Sequence, residues 1–97
     1  MEAPRNIHFD NDVGFEGAIL IGWANVGPQR IRCVVGRETI NELDHFKHAT
    51  ASEIRLRKRE IFEELKPAFV RKIENRELDR STIPTVTVYW RDLHAFH

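Results

Sequence analysis

The chain has 97 residues, of which 41% are hydrophobic, and its 15 lysine and arginine residues balance 15 aspartate and glutamate residues. This length and composition predict one folded domain, residues 1–97, rather than a disordered segment. A net charge of zero excludes a global positive field that would attract nucleic acid or an anionic membrane. The N-terminal residues lack the apolar core of a signal peptide, and no apolar run reaches membrane-spanning length. We therefore expect a cytoplasmic protein with no membrane partner.

Alternation of apolar and polar residues predicts the strands of a small sheet. The predicted strand segments are residues 6–9, 17–26, 29–35 and 85–90. The residues between the first two segments, Asp10 to Gly14, are typical of a turn. Gly27-Pro28 joins the second and third segments, and such a short connection between alternating runs predicts an antiparallel β-hairpin. Pro84 can begin the last strand but cannot lie inside a central one.

The same alternation assigns side chains to faces. In the second strand of the hairpin, the predicted inward residues are Ile31, Cys33 and Val35, and the predicted outward residues are Arg30 and Arg32. Two further sets each share one face, Ile19, Ile21 and Trp23 in the first hairpin strand and Val86, Val88 and Trp90 in the last strand. Cys33 on the inward face predicts a buried, inert thiol rather than a nucleophile.

Helical periodicity occupies the middle of the chain. Residues 37–46 predict a short helix, and residues 51–78 predict a long amphipathic helix that begins with a capping box formed by Thr50 and Glu53. Pro67 lacks the N–H that the Glu63 carbonyl would accept, so we expect a kink or break near Leu65-Lys66. Asp79 to Thr82 is predicted to be the exit turn, and residues 91–97 a tail.

These elements predict an α+β domain. We expect a small antiparallel sheet of three to four strands, with the short helix and the long kinked helix packed on one face.

Basic residues on the hairpin and the long helix suggest one binding hypothesis. A nucleic-acid-binding accessory protein would use Arg30, Arg32, Arg55 and Arg59. On the helical wheel, however, the basic residues that follow Ile54 spread over more than half of the circumference. Residues 51–78 carry eight basic and six acidic side chains, a pattern typical of a solvated, ion-paired helix. Nucleic-acid binding is therefore the alternative and not the leading hypothesis.

Two histidines, His45 and His48, have a spacing that a metal site can use. Together with Asp44 they supply at most part of a zinc site, and no other motif completes it. We therefore favour exposed histidines near a helix end, no bound metal and no cofactor. No nucleophile elbow, phosphate-binding loop or dinucleotide motif is present, so the chain lacks a recognisable catalytic signature.

Three large apolar side chains are candidates for a protein contact. Trp23 and Trp90 combine an apolar ring with a polar tip, as interface anchors often do, although a place in or beside the core is the more frequent alternative. Leu56 lies opposite Ile54 and Ile61 on the helical wheel, so we expect it to point outward.

Short segments along most of the chain also resemble a known family. They are Phe9-Asp10, Gly17 to Trp23, Ile31 to Val35 followed by Arg37 to Ile40, Arg71 to Ile73, and Arg91 to Leu93. In these segments the chain is similar to domain-of-unknown-function family 1488, a family of small bacterial proteins. The resemblance implies an α+β fold and a bacterial source, and it implies no catalytic residues.

The leading hypothesis is a non-enzymatic protein-binding or regulatory module whose partner is another protein or a second copy of the chain. A catalytic site assembled from distant residues stays open as a third possibility. A pocket in which histidine and aspartate side chains converge would favour it.

Overall fold

A six-stranded sheet forms one layer of the computed structural model, which describes residues 6–80 and 82–94. The strands are β1 (Ile7–Phe9), β2 (Gly14–Glu16), β3 (Ile19–Val26), β4 (Gln29–Gly36), β5 (Asp79–Arg80) and β6 (Pro84–Val88). Their order is β1-β3-β4-β6-β5, and β2 pairs with the same edge of β3 as β1 does. The α+β class predicted from the sequence is confirmed.

The β3–β4 hairpin forms where the sequence predicts it. Val26 pairs with Gln29, so the connection consists only of Gly27 and Pro28. Gly27 has a φ of 60°, a left-handed conformation that favours glycine, and the proline ring restricts the second position to a negative φ. This combination matches a type II′ turn, whose twist suits a two-residue hairpin.

The purely antiparallel sheet predicted from the sequence is wrong for one pair of strands. β4 and β6 are parallel, with Cys33 opposite Val86 and Val35 opposite Val88. The chain between them crosses one face of the sheet as helices, and such a crossover returns it to the end of the sheet where β4 began. The sheet is therefore mixed, and with its short edge strands it has more strands than the predicted three to four.

The first edge of the sheet contains a second hairpin that the sequence analysis missed. β2 lies within residues predicted to be turn and loop, and it pairs antiparallel with the start of β3. Its central residue, Phe15, is buried while its neighbours are exposed. A three-residue strand has too little alternation to be recognised by its pattern alone.

The helices are α1 (Arg37–Ile40), α2 (Ala51–Leu56), α3 (Lys58–Glu74) and α4 (Trp90–His94), and a 3₁₀ turn spans Asp44–Phe46. The predicted capping box is confirmed, since the Thr50 hydroxyl accepts from the Glu53 N–H at 3.2 Å and the Glu53 carboxylate accepts from the Thr50 N–H at 3.3 Å. The short helix predicted over residues 37–46 is instead α1 followed by the 3₁₀ turn.

The interruption of the long helix lies elsewhere than predicted. Arg57, with φ −107° and ψ 23°, separates α2 from α3, and α3 continues through Pro67. The predicted break near Leu65-Lys66 is therefore wrong, and the predicted kink there stays a prediction. Arg57 packs over the Phe46 ring at 4.5 Å, and the break lets Ile54 of α2 reach the same core as α3.

The long helix also ends earlier than the predicted Leu78. The Arg76 N–H donates to the Ile73 carbonyl at 3.0 Å, and the Glu77 N–H donates to the Lys72 carbonyl at 2.9 Å. These two bonds form a Schellman motif, in which Arg76 takes the left-handed conformation with a φ of 59°.

The core lies between α3 and the face of the sheet that it covers. Phe62 packs closely against Gly22, where an added Cβ would lie 2.4 Å from two ring carbons of Phe62. Glycine is therefore required on this strand for the helix to approach the sheet. The buried side chains on the covered face are Leu20, Ala24, Ile31, Cys33, Val35, Val86 and Val88.

The predicted last strand and tail need correction at Trp90. β6 ends at Val88, and Trp90 begins α4, where the sequence analysis placed a tail from residue 91. Trp90 is 55% exposed and does not share the buried face of Val86 and Val88. α4 is attached by Lys72, whose ammonium donates to the Asp92 carboxylate at 2.9 Å and to the Thr87 carbonyl at 2.7 Å. The part of the predicted tail beyond His94 lies outside the described residues.

Candidate functional site

The face of the sheet opposite α3, called the open face here, carries two adjoining depressions. Its β3 residues alternate with the buried ones and are Ile19, Ile21, Trp23 and Asn25; the residues paired with them on β4 are Gly36, Val34, Arg32 and Arg30. Thr85 and Thr87 continue the face on β6. The predicted grouping of Ile19, Ile21 and Trp23 on one face is confirmed, but that face is not the one α3 covers.

One depression, called the basic cleft here, has a volume of about 500 Å³. Its lining residues are Asp12, Val13, Gly14, Glu16, Ile21, Trp23, Arg30, Arg32, Lys58 and Arg59. β1 pairs with β3 from Ala24 onward and β2 pairs with it up to Ile21, so Gly22 and Trp23 lie between the two short strands. The chain from Asp10 leaves the edge of β3 at this gap, and the cleft joins the open face to the N-terminal end of α3.

Arg30 is held in place by two neighbours, Trp23 and Asp10. Its guanidinium lies 4.3 Å from the centroid of the Trp23 ring and donates to the Asp10 carboxylate at 2.9 Å. Asp10 also accepts from the Asn25 amide at 2.8 Å. A cation stacked on an indole and fixed by a carboxylate forms a rigid, flat surface beside the cleft.

The other three cations are less compensated. The Arg32 Nε donates to the Thr85 hydroxyl at 3.3 Å, an interaction that fixes the side chain without neutralising it. The side chains of Lys58 and Arg59 form no hydrogen bond or ion pair with any other residue that the structure describes. Asp12 and Glu16 contribute negative charge to the same cleft, so it contains both signs, with the cations in excess.

The second depression, called the apolar half of the open face here, has a volume of about 340 Å³. Ile19, Val34, Thr87 and Tyr89 form much of its surface, and Arg37 and Glu38 lie at its border. Ile19 is 42% exposed and Tyr89 is 46% exposed, so this half presents large apolar groups to solvent.

The structure brings only some of the predicted binding residues together. Trp23, Arg30, Arg32 and Arg59 line the basic cleft. Arg55 is separate from them, with its guanidinium 5.9 Å from the centroid of the Phe15 ring. Leu56 points outward as predicted and is 86% exposed, and neither it nor Trp90 lines either depression.

Arg57, the remaining arginine of the basic run, is engaged within the helix. Its Nε donates to the Glu60 carboxylate at 3.1 Å. That hydrogen bond lowers the pKa of Glu60 and raises the pKa of Arg57. Arg57 is therefore compensated locally, in contrast to its neighbours Lys58 and Arg59.

The histidine and cysteine candidates take no part in either depression. His45 and His48 are exposed, and residues 6–80 and 82–94 contain no group of three or more His, Cys, Asp or Glu side chains that could hold a metal ion. Cys33 is buried as predicted, and burial raises its pKa to about 12. Its thiol is therefore protonated at neutral pH and is not a nucleophile.

Lys58, Gly14 and the two carboxylates of the cleft are not among the binding residues predicted from the sequence. Lys58 belongs to the basic run after Ile54, and its separation from Arg57 depends on the helix break, which the periodicity did not indicate. Gly14 was assigned to a turn because β2 was not recognised. Only the pairing of β2 with β3 places Glu16 on the open face.

No family model, curated protein or solved structure matches the chain. Among the described residues, no helix combines the length and the apolar composition needed to cross a bilayer.

Proposed function

We propose that the protein is a non-enzymatic binding module that acts through protein contact, and that the apolar half of the open face is its contact surface. The supporting observation is that Ile19, Val34 and Tyr89 lie on a sheet face that no described helix covers. A sheet with one solvated face normally alternates apolar residues inward with polar residues outward. Here large apolar side chains occupy the outward positions, as they do at interaction surfaces.

The partner that we propose is a second copy of the chain. A sheet face can pack against an identical face about 10 Å away, and a two-fold axis makes such a patch complementary to itself. The zero net charge adds no long-range repulsion between copies. Contact by edge pairing is less favoured, because β1, β2 and β5 have only two or three residues each.

The border of the apolar half suits an interface. Arg37 and Glu38 supply opposite charges there, and Arg91 packs over the Tyr89 ring at 5.0 Å. An apolar centre with a polar border is the usual arrangement of protein contacts. We also propose a bacterial origin, from the resemblance described above, and a cytoplasmic location, because a single cysteine fits a reducing compartment.

Two variants with the same change in charge test this proposal. Ile19→Glu places a carboxylate in the apolar half, and Leu56→Glu places one on an exposed leucine of α2 outside it. Molar mass from light scattering after size-exclusion chromatography, measured over a wide range of protein concentrations, is expected to show a dimer for the wild type. We expect Ile19→Glu to weaken the dimer about tenfold or more, since a charge buried in an interface loses its solvation. We expect Leu56→Glu to leave the dimer unchanged.

Urea unfolding of both variants checks that they remain folded. If the wild-type protein stays monomeric up to about millimolar concentration, a second copy is not the partner. A Kd above that concentration corresponds to weak binding. Dimer loss in Leu56→Glu with retention in Ile19→Glu would place the contact on α2 instead.

A further inference from the structure

We propose that the basic cleft is a binding site for a nucleoside phosphate, taken either as a free nucleotide or as one unit of a single-stranded nucleic acid. The cleft lies beside the apolar half of the open face, and the site does not require the protein contact proposed above. Its volume of about 500 Å³ is within the usual range for small-molecule sites, about 300–1,000 Å³.

Three cations of the cleft form no ion pair with a described carboxylate, and we assign them to the phosphate. Lys58 and Arg59 are the first residues of α3, and Arg32 reaches the same cleft from β4. Because the Arg32 Nε is bound to Thr85, its orientation is fixed and its terminal nitrogens are left for another acceptor. Arginine and lysine arranged on one side of a cleft are the groups that bind phosphate oxygens in proteins.

We assign the base to the Trp23 ring and the Arg30 guanidinium that packs over it. Asp10 holds Arg30 at 2.9 Å, so the stacked pair is arranged before a ligand binds. Unpaired bases bind to proteins by stacking on aromatic rings and on guanidinium planes. A planar base and a phosphate group together therefore match the lining of this cleft better than a phosphate alone.

Asp12 and Glu16 give the site a preference among bases. A carboxylate repels phosphate but accepts hydrogen bonds from amino groups such as N4 of cytosine. We therefore assign these side chains to the base and expect bases with an amino group to bind more tightly than uracil.

Gly14 leaves the cleft accessible. A Cβ added at Gly14 would have no atom within 4 Å, so a larger side chain there has room and would occupy the cleft itself. This residue lies in the extended strand β2, whose backbone accepts any side chain.

The test measures binding of cytidine monophosphate and of a short fluorescein-labelled cytidine oligonucleotide at about 50 mM salt, where phosphate contacts are strong. A Trp90→Phe background leaves Trp23 as the only tryptophan, so quenching of its emission reports on the cleft directly. We expect binding with quenching, and weaker binding of the uridine equivalents. Equal affinities for nucleotide and oligonucleotide would indicate a free nucleotide as the ligand, and a much higher affinity for the oligonucleotide would indicate a single strand.

A matched pair of charge reversals separates a site from diffuse attraction. Arg59→Glu and Arg55→Glu change the net charge equally, but only Arg59 lines the cleft. We expect Arg59→Glu to weaken binding about tenfold and Arg55→Glu to weaken it less than about twofold. A charge in direct contact with the phosphate contributes much more to affinity than a distant charge, which salt screens. Gly14→Leu, which changes no charge, is expected to weaken binding at least fivefold, about 1 kcal/mol at 1.4 kcal/mol per tenfold.

Three results would overturn the proposal. They are no binding of either ligand at low salt, binding that does not quench Trp23, and equal losses in the Arg55 and Arg59 variants. Thermal melting checks that each variant is folded, and if Gly14→Leu is not, the charge-reversal pair still decides. A failed dimer test leaves these results unaffected, because Ile19 does not line the basic cleft.

Discussion

The two faces of the sheet come from the same strands in the same register, yet they differ in what lies on them. On the covered face, α3 packs so closely that one strand position, Gly22, has no room for a side chain. On the open face, the neighbouring position Trp23 holds a cation against its ring, and Ile19 and Tyr89 are partly exposed. One face therefore stabilises the fold, and the other presents the cleft and the apolar half that our proposals concern.

This difference shows that apolar character alone does not assign a strand residue to the core. β3 has apolar residues on both faces, and the helix decides which of them is buried. We therefore expect substitutions on the covered face to affect mainly the free energy of unfolding, and substitutions on the open face to affect mainly binding.

The largest expected effect on stability comes from Gly22→Ala. The added methyl would lie 2.4 Å from ring carbons of the buried Phe62, so the helix or the ring must move. We expect a loss of about 3 kcal/mol in the free energy of unfolding, measured by urea denaturation. Gly36→Ala is the matched control, because a Cβ there meets nothing within 4 Å. A Gly22→Ala variant as stable as Gly36→Ala would show that α3 does not approach the sheet this closely.

A pair of adjacent valines on β4 compares the two faces directly. Val35 is fully buried on the covered face, and Val34 lies on the open face beside it. Replacing each with threonine keeps the shape and exchanges one methyl group for a hydroxyl, which needs a hydrogen-bond partner when buried. We expect Val35→Thr to cost about 2 kcal/mol and Val34→Thr less than about 0.5 kcal/mol. An equal loss in the free energy of unfolding for the two variants, measured by urea denaturation, would contradict this prediction. It would mean that Val34 is as fully buried in solution as Val35.

A smaller effect is expected where Lys72 links α3 to α4 beside the sheet. Burial by itself would raise the pKa of Asp92, but hydrogen bonds from the Tyr89 N–H and the Lys72 ammonium, with the charges of Lys72 and Arg91, lower it overall. A lowered pKa in the folded state adds stability that is fully present above the unfolded value of 3.8 and is lost as the pH falls through the folded value.

The measurement is urea unfolding of the wild type and of Asp92→Asn at several pH values. We expect the wild type to be the more stable at about pH 7, and the difference to shrink as the pH falls below the unfolded pKa of 3.8. A difference that does not change with pH would show that the carboxylate charge contributes nothing and that the attachment of α4 depends on packing alone.

The pattern of a single strand predicts the positions of two cleft arginines, but it does not predict that α3 contributes to the same cleft. The outward positions of Arg30 and Arg32 follow from alternation with Ile31 and Cys33, because side chains on a strand point alternately to opposite faces. No pattern in the sequence predicts that Arg59 lines the same cleft as these two arginines. This arrangement depends on the break at Arg57 and on the gap between β1 and β2 at the edge of β3.

The local sequence by itself determined the β3–β4 hairpin, the capping box at Thr50 and the burial of Ile54 and Cys33. These depend on turn residues, on capping groups and on periodicity, which act between residues close together in the chain. Only the tertiary structure decided the parallel pairing of β4 with β6, the choice of the covered face and the convergence of cations at the cleft. Those features depend on how α3 packs across the sheet, and packing between distant segments leaves no pattern in either segment alone.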